Sequence, residues 1–390
     1  MSPPTMPTRQ EFLRFGAPLI SEEEIAEVVA CLRSGWIGTG PRVAAFEKQF
    51  REYRAMKHAV AVNSCTAGLH LSLLAAGLKA GDEVITTPMT FCATVNAIIH
   101  AGLKPVLADI DPVTQNIDPV EVEWHLTPRT RAIVIVHFGG RPCDMMALVD
   151  LAHRHNLKII EDCAHATEAM YDGRPLGSFG DFGCFSFYVT KNMTTGEGGM
   201  VVTNSDEAQA KVKMMALHGL TRDAWNRFGG EGYKHYEVVD CGFKYNMTDL
   251  QAAIGIHQLK RIEQSWERRA AIWRRYAEAL AHLPVTLPAP AADNTRHSYH
   301  LFTLLIDPAV CAVTRDQFVQ NMTGCRIGVG VHYVSIPEHP YYRKTFGWTP
   351  DDFPHAARIG RQTVSIPLSP TLTDQDVDDV IAAVQFSLRP

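Results

Sequence analysis

Between residues 58 and 204 the chain repeats one pattern, a short run that is apolar at successive positions followed by a helical stretch. HAVAVNS (58–64), DEVITTP (82–88), KPVLADID (104–111), RAIVIVHF (131–138) and LKIIEDCA (157–164) are such runs, each ending in polar or glycine residues. A strand with one wet face alternates polar and apolar residues. A strand apolar on both faces needs cover on both, as in a parallel sheet flanked by helices. The alternation with helices, such as one from about Thr66 to Leu78 and one through NAIIHAG, predicts a doubly wound α/β unit.

After these come two more strand-like runs joined by a short loop, DFGCFSFYV (181–189) and GGMVVTN (198–204). They make the predicted sheet large and mixed but mostly parallel. A long helical pattern covers 249–283, and Pro284, Pro288 and Pro290 break it. The remainder reads as a smaller α+β unit, with strands at YHLFTLLI (299–306) and IGVGVHYV (327–334) and a last helix in TDQDVDDVIAAVQFSL. The expected division is therefore 1–284 and 285–390.

Composition narrows the function classes. Of 390 residues 46% are hydrophobic and 20% charged, and the net charge is -5, an ordinary globular balance. No dense Lys/Arg block suggests nucleic acid or an anionic membrane, and no run approaches the roughly 20 apolar residues of a membrane helix. The opening MSPPTMPTRQEF lacks the apolar core of a signal peptide, so a soluble, cytoplasmic protein is expected. The nine cysteines show no C-x-x-C spacing. That reads as reduced, mostly buried thiols and predicts no metal site.

Chemistry is sought at the carboxyl ends of the strands, where open α/β sheets bind ligands. At NSCTAGLH (63–70) a strand gives way to a helix opened by small residues. The backbone amides there, with Ser64, Cys65 and Thr66, suit a phosphate, and a plain Ser or Thr cap is the alternative. In IIEDCAHA (159–166) a strand delivers Asp162 and His165, as an acid able to face a ring nitrogen or as a cap and a core histidine. In GCFSFYVTKNMTTGEGGM (183–200), Ser186 and Lys191 stand at a strand end and in the turn after it. A buried lysine loses proton affinity and gains nucleophilicity, while a solvated turn lysine is the alternative. In TPMTFCATVNA (87–97), Phe91 could stack on a flat ligand or belong to the core.

Taken together, these segments and others in the same order make the chain resemble the DegT/DnrJ/EryC1/StrS sugar-nucleotide aminotransferases, within the fold-type-I pyridoxal-phosphate enzymes. The likeness also runs through FGAPLISEEEI (15–25), SGWIGTGPRVAAFE (34–47), VHFGGRPCDM (136–145), GFKYNMTDLQAAIG (242–255) and VHYVSIPEHPYYR (331–343). It implies pyridoxal 5'-phosphate as cofactor, with Lys191 as the lysine bonded to its aldehyde and acting as proton carrier. Asp162 would then meet the ring nitrogen and His165 would lie near the ring hydroxyl. Cys65, Thr66 and Ser186 would contact the phosphate, with Phe91 on the ring. Asn246 would reach the phosphate of the partner subunit, which implies a homodimer with shared active sites.

Trp36 and His332 are candidate contacts for sugar or nucleotide, or else a packed aromatic and a structural histidine. The implied reaction moves an amino group from L-glutamate to a nucleotide-linked keto sugar. GFKYNMTD, SCTAGLH and HGLTRDAW (218–225) look most like enzymes acting at C4 of a UDP-linked 4-keto pentose or 6-deoxyhexose. The alternatives are a 3-aminotransferase on a dTDP- or GDP-linked keto sugar and a non-catalytic, cofactor-binding regulator. Relatives with histidine in place of the lysine are dehydratases, and Lys191 favours transamination. A nicotinamide-dependent oxidoreductase needs G-x-G-x-x-G after its first strand, and NSCTAGLH lacks it.

Overall fold

The computed structural model describes residues 9–221 and 236–389. Residues 222–225 of the HGLTRDAW segment lie outside them. The first strands are β1 (His58–Val62), β2 (Glu83–Thr86), β3 (Lys104–Leu107), β4 (Thr130–Val136) and β5 (Lys158–Asp162). Short strands β6 (Met170–Tyr171) and β7 (Arg174–Pro175) precede β8 (Phe182–Ser186) and β9 (Gly199–Thr203). Seven of these form one sheet in the order β1-β9-β8-β5-β4-β2-β3. Only β9 runs antiparallel, pairing with β8 on one side and β1 on the other. Every other strand therefore ends at the same edge of the sheet.

Helices precede, connect and follow the strands: α1 (Glu22–Ser34), α2 (Pro41–Tyr53), α3 (Cys65–Ala75), α4 (Cys92–His100), α5 (Pro119–Trp124), α6 (Met145–His155), α7 (Asp206–Ala216), α8 (Asp249–Lys260) and α9 (Ile262–Leu280). They cover both faces. On one, Phe46 and Phe50 of α2 meet Phe185, Phe187, Ile133 and Ile135. On the other, Leu69 and Leu71 of α3 and Val212 of α7 meet Val84, Val134, Ile160 and Val201. Two-sided cover is why these strands carry no polar alternation. Each fully buried Leu, Ile, Val or Phe contributes about 1.5–3 kcal/mol relative to exposure.

Two expectations fail. The 249–283 pattern is not one helix: it breaks at Arg261, whose φ of -107° and ψ of 10° lie off the helical values. The guanidinium of Arg261 is held by the Leu19 carbonyl, the Ser21 hydroxyl and the Glu24 carboxylate, which ties the break to the N-terminal segment. Nor is IGVGVHYV a strand. Its backbone makes only isolated bridges, Ile327 with Leu13 and Gly330 with Ser365. In the C-terminal region β10 (Thr295–Arg296) joins β6, while β11 (Phe302–Leu305) pairs with β12 (Thr363–Ile366). There the core gathers Phe302, Phe318, Ile366 and Val380 around Trp273 and Tyr276 of α9.

A buried ion pair ties α9 to the large sheet unit. Arg269 and Glu168 are 1% and 0% exposed and in direct contact. Removing one member leaves the other charge dehydrated without its partner. We expect Arg269→Leu to lower unfolding free energy by roughly 3–5 kcal/mol, read as a large drop in the urea midpoint. An unchanged midpoint would refute the reading.

Candidate active site

A cavity of about 550 Å³ opens at the carboxyl edge of the sheet, and loops after β1, β2, β5 and β8 line it. The structure brings Cys65, Thr66, Phe91, Asp162, His165, Ser186, Lys191 and His332 into its wall.

The floor is built by α3. Ser64 is its cap and accepts from the Ala67 amide at 3.1 Å. The preceding amides of Cys65 and Thr66 have no helical acceptor, as at any helix start. Behind them β9 comes in very close. A Cβ on Gly199 would lie 2.6 Å from the Cys65 nitrogen, so only glycine fits there. Two free amides, the positive end of a helix and the buried Ser186 hydroxyl form an anion cradle.

Asp162 ends β5 and is 5% exposed. One oxygen accepts from Thr94 Oγ1 at 2.8 Å and the other from the Ala164 amide at 3.1 Å. A carboxylate offers about four acceptor positions, so capacity remains for a charged donor. Burial raises its pKa, opposed by the Thr94 hydroxyl, the Ala164 amide and Lys191. The neighbouring Glu161 accepts from the amides of Gly177, Phe179 and Gly180 and faces His137 Nε2 at 3.2 Å. With Cys163 it forms a compact buried trio. Its carboxylate is filled by those four donors, and the trio is a scaffold behind Asp162.

Lys191 sits in the turn after β8, with its backbone amide on the Tyr188 carbonyl at 2.9 Å. Burial lowers its pKa from the ordinary 10.5 to about 8, against the pull of Asp162 and Cys65. The next residue, Asn192, pins the turn: it donates to Glu168 Oε2 at 2.8 Å and the Ser298 carbonyl at 3.0 Å, and faces His300 Nδ1 at 2.9 Å. Burial also keeps His165 neutral, helped by the charge of Lys191. His332 is pushed down to about 4 for the same two reasons, and its Nδ1 meets Ser365 Oγ at 2.8 Å. Phe91 stands at the rim, 58% exposed.

Two candidates lie elsewhere. Trp36 bonds the Thr39 carbonyl through Nε1 at 3.2 Å, and Asn246 Nδ2 bonds Thr39 Oγ1 at 2.6 Å. They form a cluster of their own, outside the cavity wall. The Asn246 side-chain oxygen is buried with no partner. The sequence reading also missed wall residues. Thr94 lies three positions after Phe91 in TFCAT, and Tyr333 is the immediate neighbour of His332 in VHYV.

The phosphate-sized cradle, the enclosed carboxylate with spare acceptor capacity and the lysine of lowered basicity suit one group, pyridoxal phosphate. Fold and site thus suit a pyridoxal-phosphate-dependent aminotransferase, and comparison with known proteins gives the class as one acting on sugars. The chain belongs to the DegT/DnrJ/EryC1/StrS aminotransferase family, whose model matches residues 18–385. It is 48% identical over 378 residues to the spore coat polysaccharide biosynthesis protein SpsC of Bacillus subtilis, covering 97% of both chains. Spr1654 of Streptococcus pneumoniae, assigned as a sugar aminotransferase, superposes in its PMP form with a TM-score of 0.90 at 31% identity, covering 96% of this chain and 98% of that one. Its PLP form gives 0.88 at 30%, with 97% and 100% covered. PseC of Helicobacter pylori, an aminotransferase involved in the biosynthesis of pseudoaminic acid, gives 0.90 at 27%, with 97% and 99% covered.

The lowered basicity of Lys191 has a kinetic signature. Only the neutral amine attacks an aldehyde. Capture of pyridoxal phosphate by cofactor-stripped protein should accelerate as pH rises and level off above about 8. Stopped-flow absorbance would check this, and a rise continuing toward pH 10 would exclude a depressed lysine.

Proposed function

We propose that the protein transfers the amino group of L-glutamate to C4 of a UDP-linked 4-keto pentose or 6-deoxyhexose, in the cytoplasm, as a homodimer with shared active sites. The observation that carries the transfer chemistry is the placement of Lys191 and Asp162 in one enclosed cavity, beside the α3 cradle. The substrate reading is supported by the motif likeness and by the polysaccharide-biosynthesis relative. Among the described residues no helix is long and apolar enough to cross a membrane.

When bound, pyridoxal phosphate supplies the aldehyde that takes the nitrogen and a ring that accepts electrons as a neighbouring C–H bond breaks. The cradle of Cys65, Thr66 and Ser186 holds the phosphate. Asp162 keeps the ring nitrogen protonated, because a pyridinium is the donor its remaining acceptor positions suit. Lys191 would hold the aldehyde carbon, and its amine, of lowered basicity, would serve as the group that holds and moves the proton beside the substrate carbon. Proton transfer by a positioned group of this kind contributes about 10²–10⁴-fold. Phe91 would cover the ring, and His165 would lie near its hydroxyl. Trp36 and His332 contact the sugar nucleotide. We place the domain division at 1–284 and 285–390, with α9 shared between the two cores.

Asn246 and Trp36 stand apart from the cavity of their own chain, which supports a role in the cavity of a second copy. Asn246 would turn its amide toward the partner's phosphate.

Three experiments test this reading. Borohydride should fix the cofactor to a peptide containing Lys191, and Lys191→Ala should abolish transamination while the fold persists; full activity of that variant would defeat the assignment. Glutamate with a panel of UDP-, dTDP- and GDP-linked keto sugars, read by NMR, should yield a 4-amino UDP sugar; a 3-amino product would move the reaction to the neighbouring carbon. Mixing Lys191→Ala with Asn246→Ala subunits should restore about a quarter of wild-type activity, because half the subunits pair as heterodimers with one intact site each. No recovery after verified subunit exchange would argue against shared sites.

A further inference from the structure

The hydrogen-bond chain behind the cavity fixes where one proton must go. The Gly139 amide points at His165 Nδ1, at 3.3 Å. An amide can only donate, so Nδ1 carries no hydrogen. The neutral imidazole therefore holds its proton on Nε2. That nitrogen lies 3.0 Å from Tyr333 Oη, so His165 donates and the tyrosine oxygen accepts. The rings lie nearly parallel, 18° apart, which fixes the geometry of the pair.

Tyr333 thus keeps its own phenolic proton for another partner. None of the described residues accepts it. Burial holds the group far into its neutral form, so the proton stays on the oxygen at working pH. The half-buried O–H is therefore free to donate into the spaces it lines. Tyr333 also stands where two spaces meet: it lines the Lys191 cavity and a second groove of about 640 Å³, which Phe91, Asn96, Tyr341 and Tyr342 help to line. The floor around Asp162 and the α3 cradle belongs to the large sheet unit. Tyr333 comes instead from the 327–334 segment, which faces that floor across the cavity.

We propose that the Tyr333 hydroxyl donates a hydrogen bond to an oxygen of the amine-accepting sugar, with His165 as the positioning residue that turns the proton toward it. The inference rests on the keto-sugar reading above and adds a specificity-determining residue to it. A sugar presents ketone and hydroxyl oxygens at that junction, and losing a donor from a site built around it discriminates strongly between ligands.

The test uses holoenzyme of wild type and Tyr333→Phe, whose retained fold is checked by circular dichroism and cofactor content. Glutamate and the same UDP-, dTDP- and GDP-linked keto sugars serve as substrates. The glutamate half-reaction, followed by the change in cofactor absorbance, should stay within about 2-fold, and the pH midpoint of that absorbance should not move. In contrast, kcat/KM for the keto sugar should fall about 10–100-fold, the range expected for one hydrogen bond to a neutral ligand oxygen. A shifted midpoint with equal loss in both half-reactions would assign the proton to the cofactor ring oxygen and overturn the proposal. Unchanged sugar kinetics would overturn it too. If Tyr333→Phe does not fold, Tyr333→His, which keeps a ring donor, must retain more sugar activity than Tyr333→Leu, and equal loss in the two counts against the proposal. Should wild type aminate none of the sugars, the substrate reading falls and this assignment with it.

Discussion

One arrangement governs the molecule, a carboxylate and an amine drawn largely out of water at the carboxyl edge of a mostly parallel sheet. Each would be more comfortable in solvent. Burial pushes Asp162 up and Lys191 down, and each partly relieves the other. A protein accepts such an arrangement where the discomfort is useful, because perturbed groups gather at reactive sites. The surrounding structure keeps the pair from relaxing. Glu161 is saturated by three amides and a histidine directly behind Asp162. Asn192 spends all its polar atoms on the turn that carries Lys191.

The strand order follows from the same need. Six parallel strands that finish on one edge concentrate loop residues from distant parts of the chain. The antiparallel β9 brings Gly199 against the start of α3, closing the back of the cradle. Sheet, cradle and lysine turn form a floor. The segment 327–334, held by bridges to Leu13 and Ser365, forms a roof. Phe15 of the N-terminal segment stacks on His332 at 5.4 Å, so three remote stretches of sequence converge above one cavity.

The floor was legible in the sequence because its signals are local. A strand, a small-residue helix start and a polar residue at the strand end lie within ten positions of one another. Lys191, Asp162, Ser186 and the Cys65–Thr66 pair could therefore be named from their segments, and the structure brings them together. The roof was not legible in the same way. IGVGVHYV has the composition of a strand, yet no long neighbour pairs with it, and pairing is a tertiary event. Tyr333 escaped notice because its importance lies in a tautomer set by Gly139, far off in the chain. The break at Arg261 is equally non-local, since the residues that hold its side chain lie some 240 positions earlier. Trp36 and Asn246 were named through likeness, and the single chain sets them apart from the cavity.

The turn bearing the lysine leaves the sheet at Ser186 and returns at Gly199, and those two residues are partners on one rung of the β8–β9 ladder. A loop that departs and returns at one rung is a self-contained insert. Substitutions within it alter the reach and tilt of the amine but transmit no register change to the strands. Tuning of the chemistry is thereby uncoupled from the integrity of the scaffold, and the same sheet can carry amines poised for different acceptors.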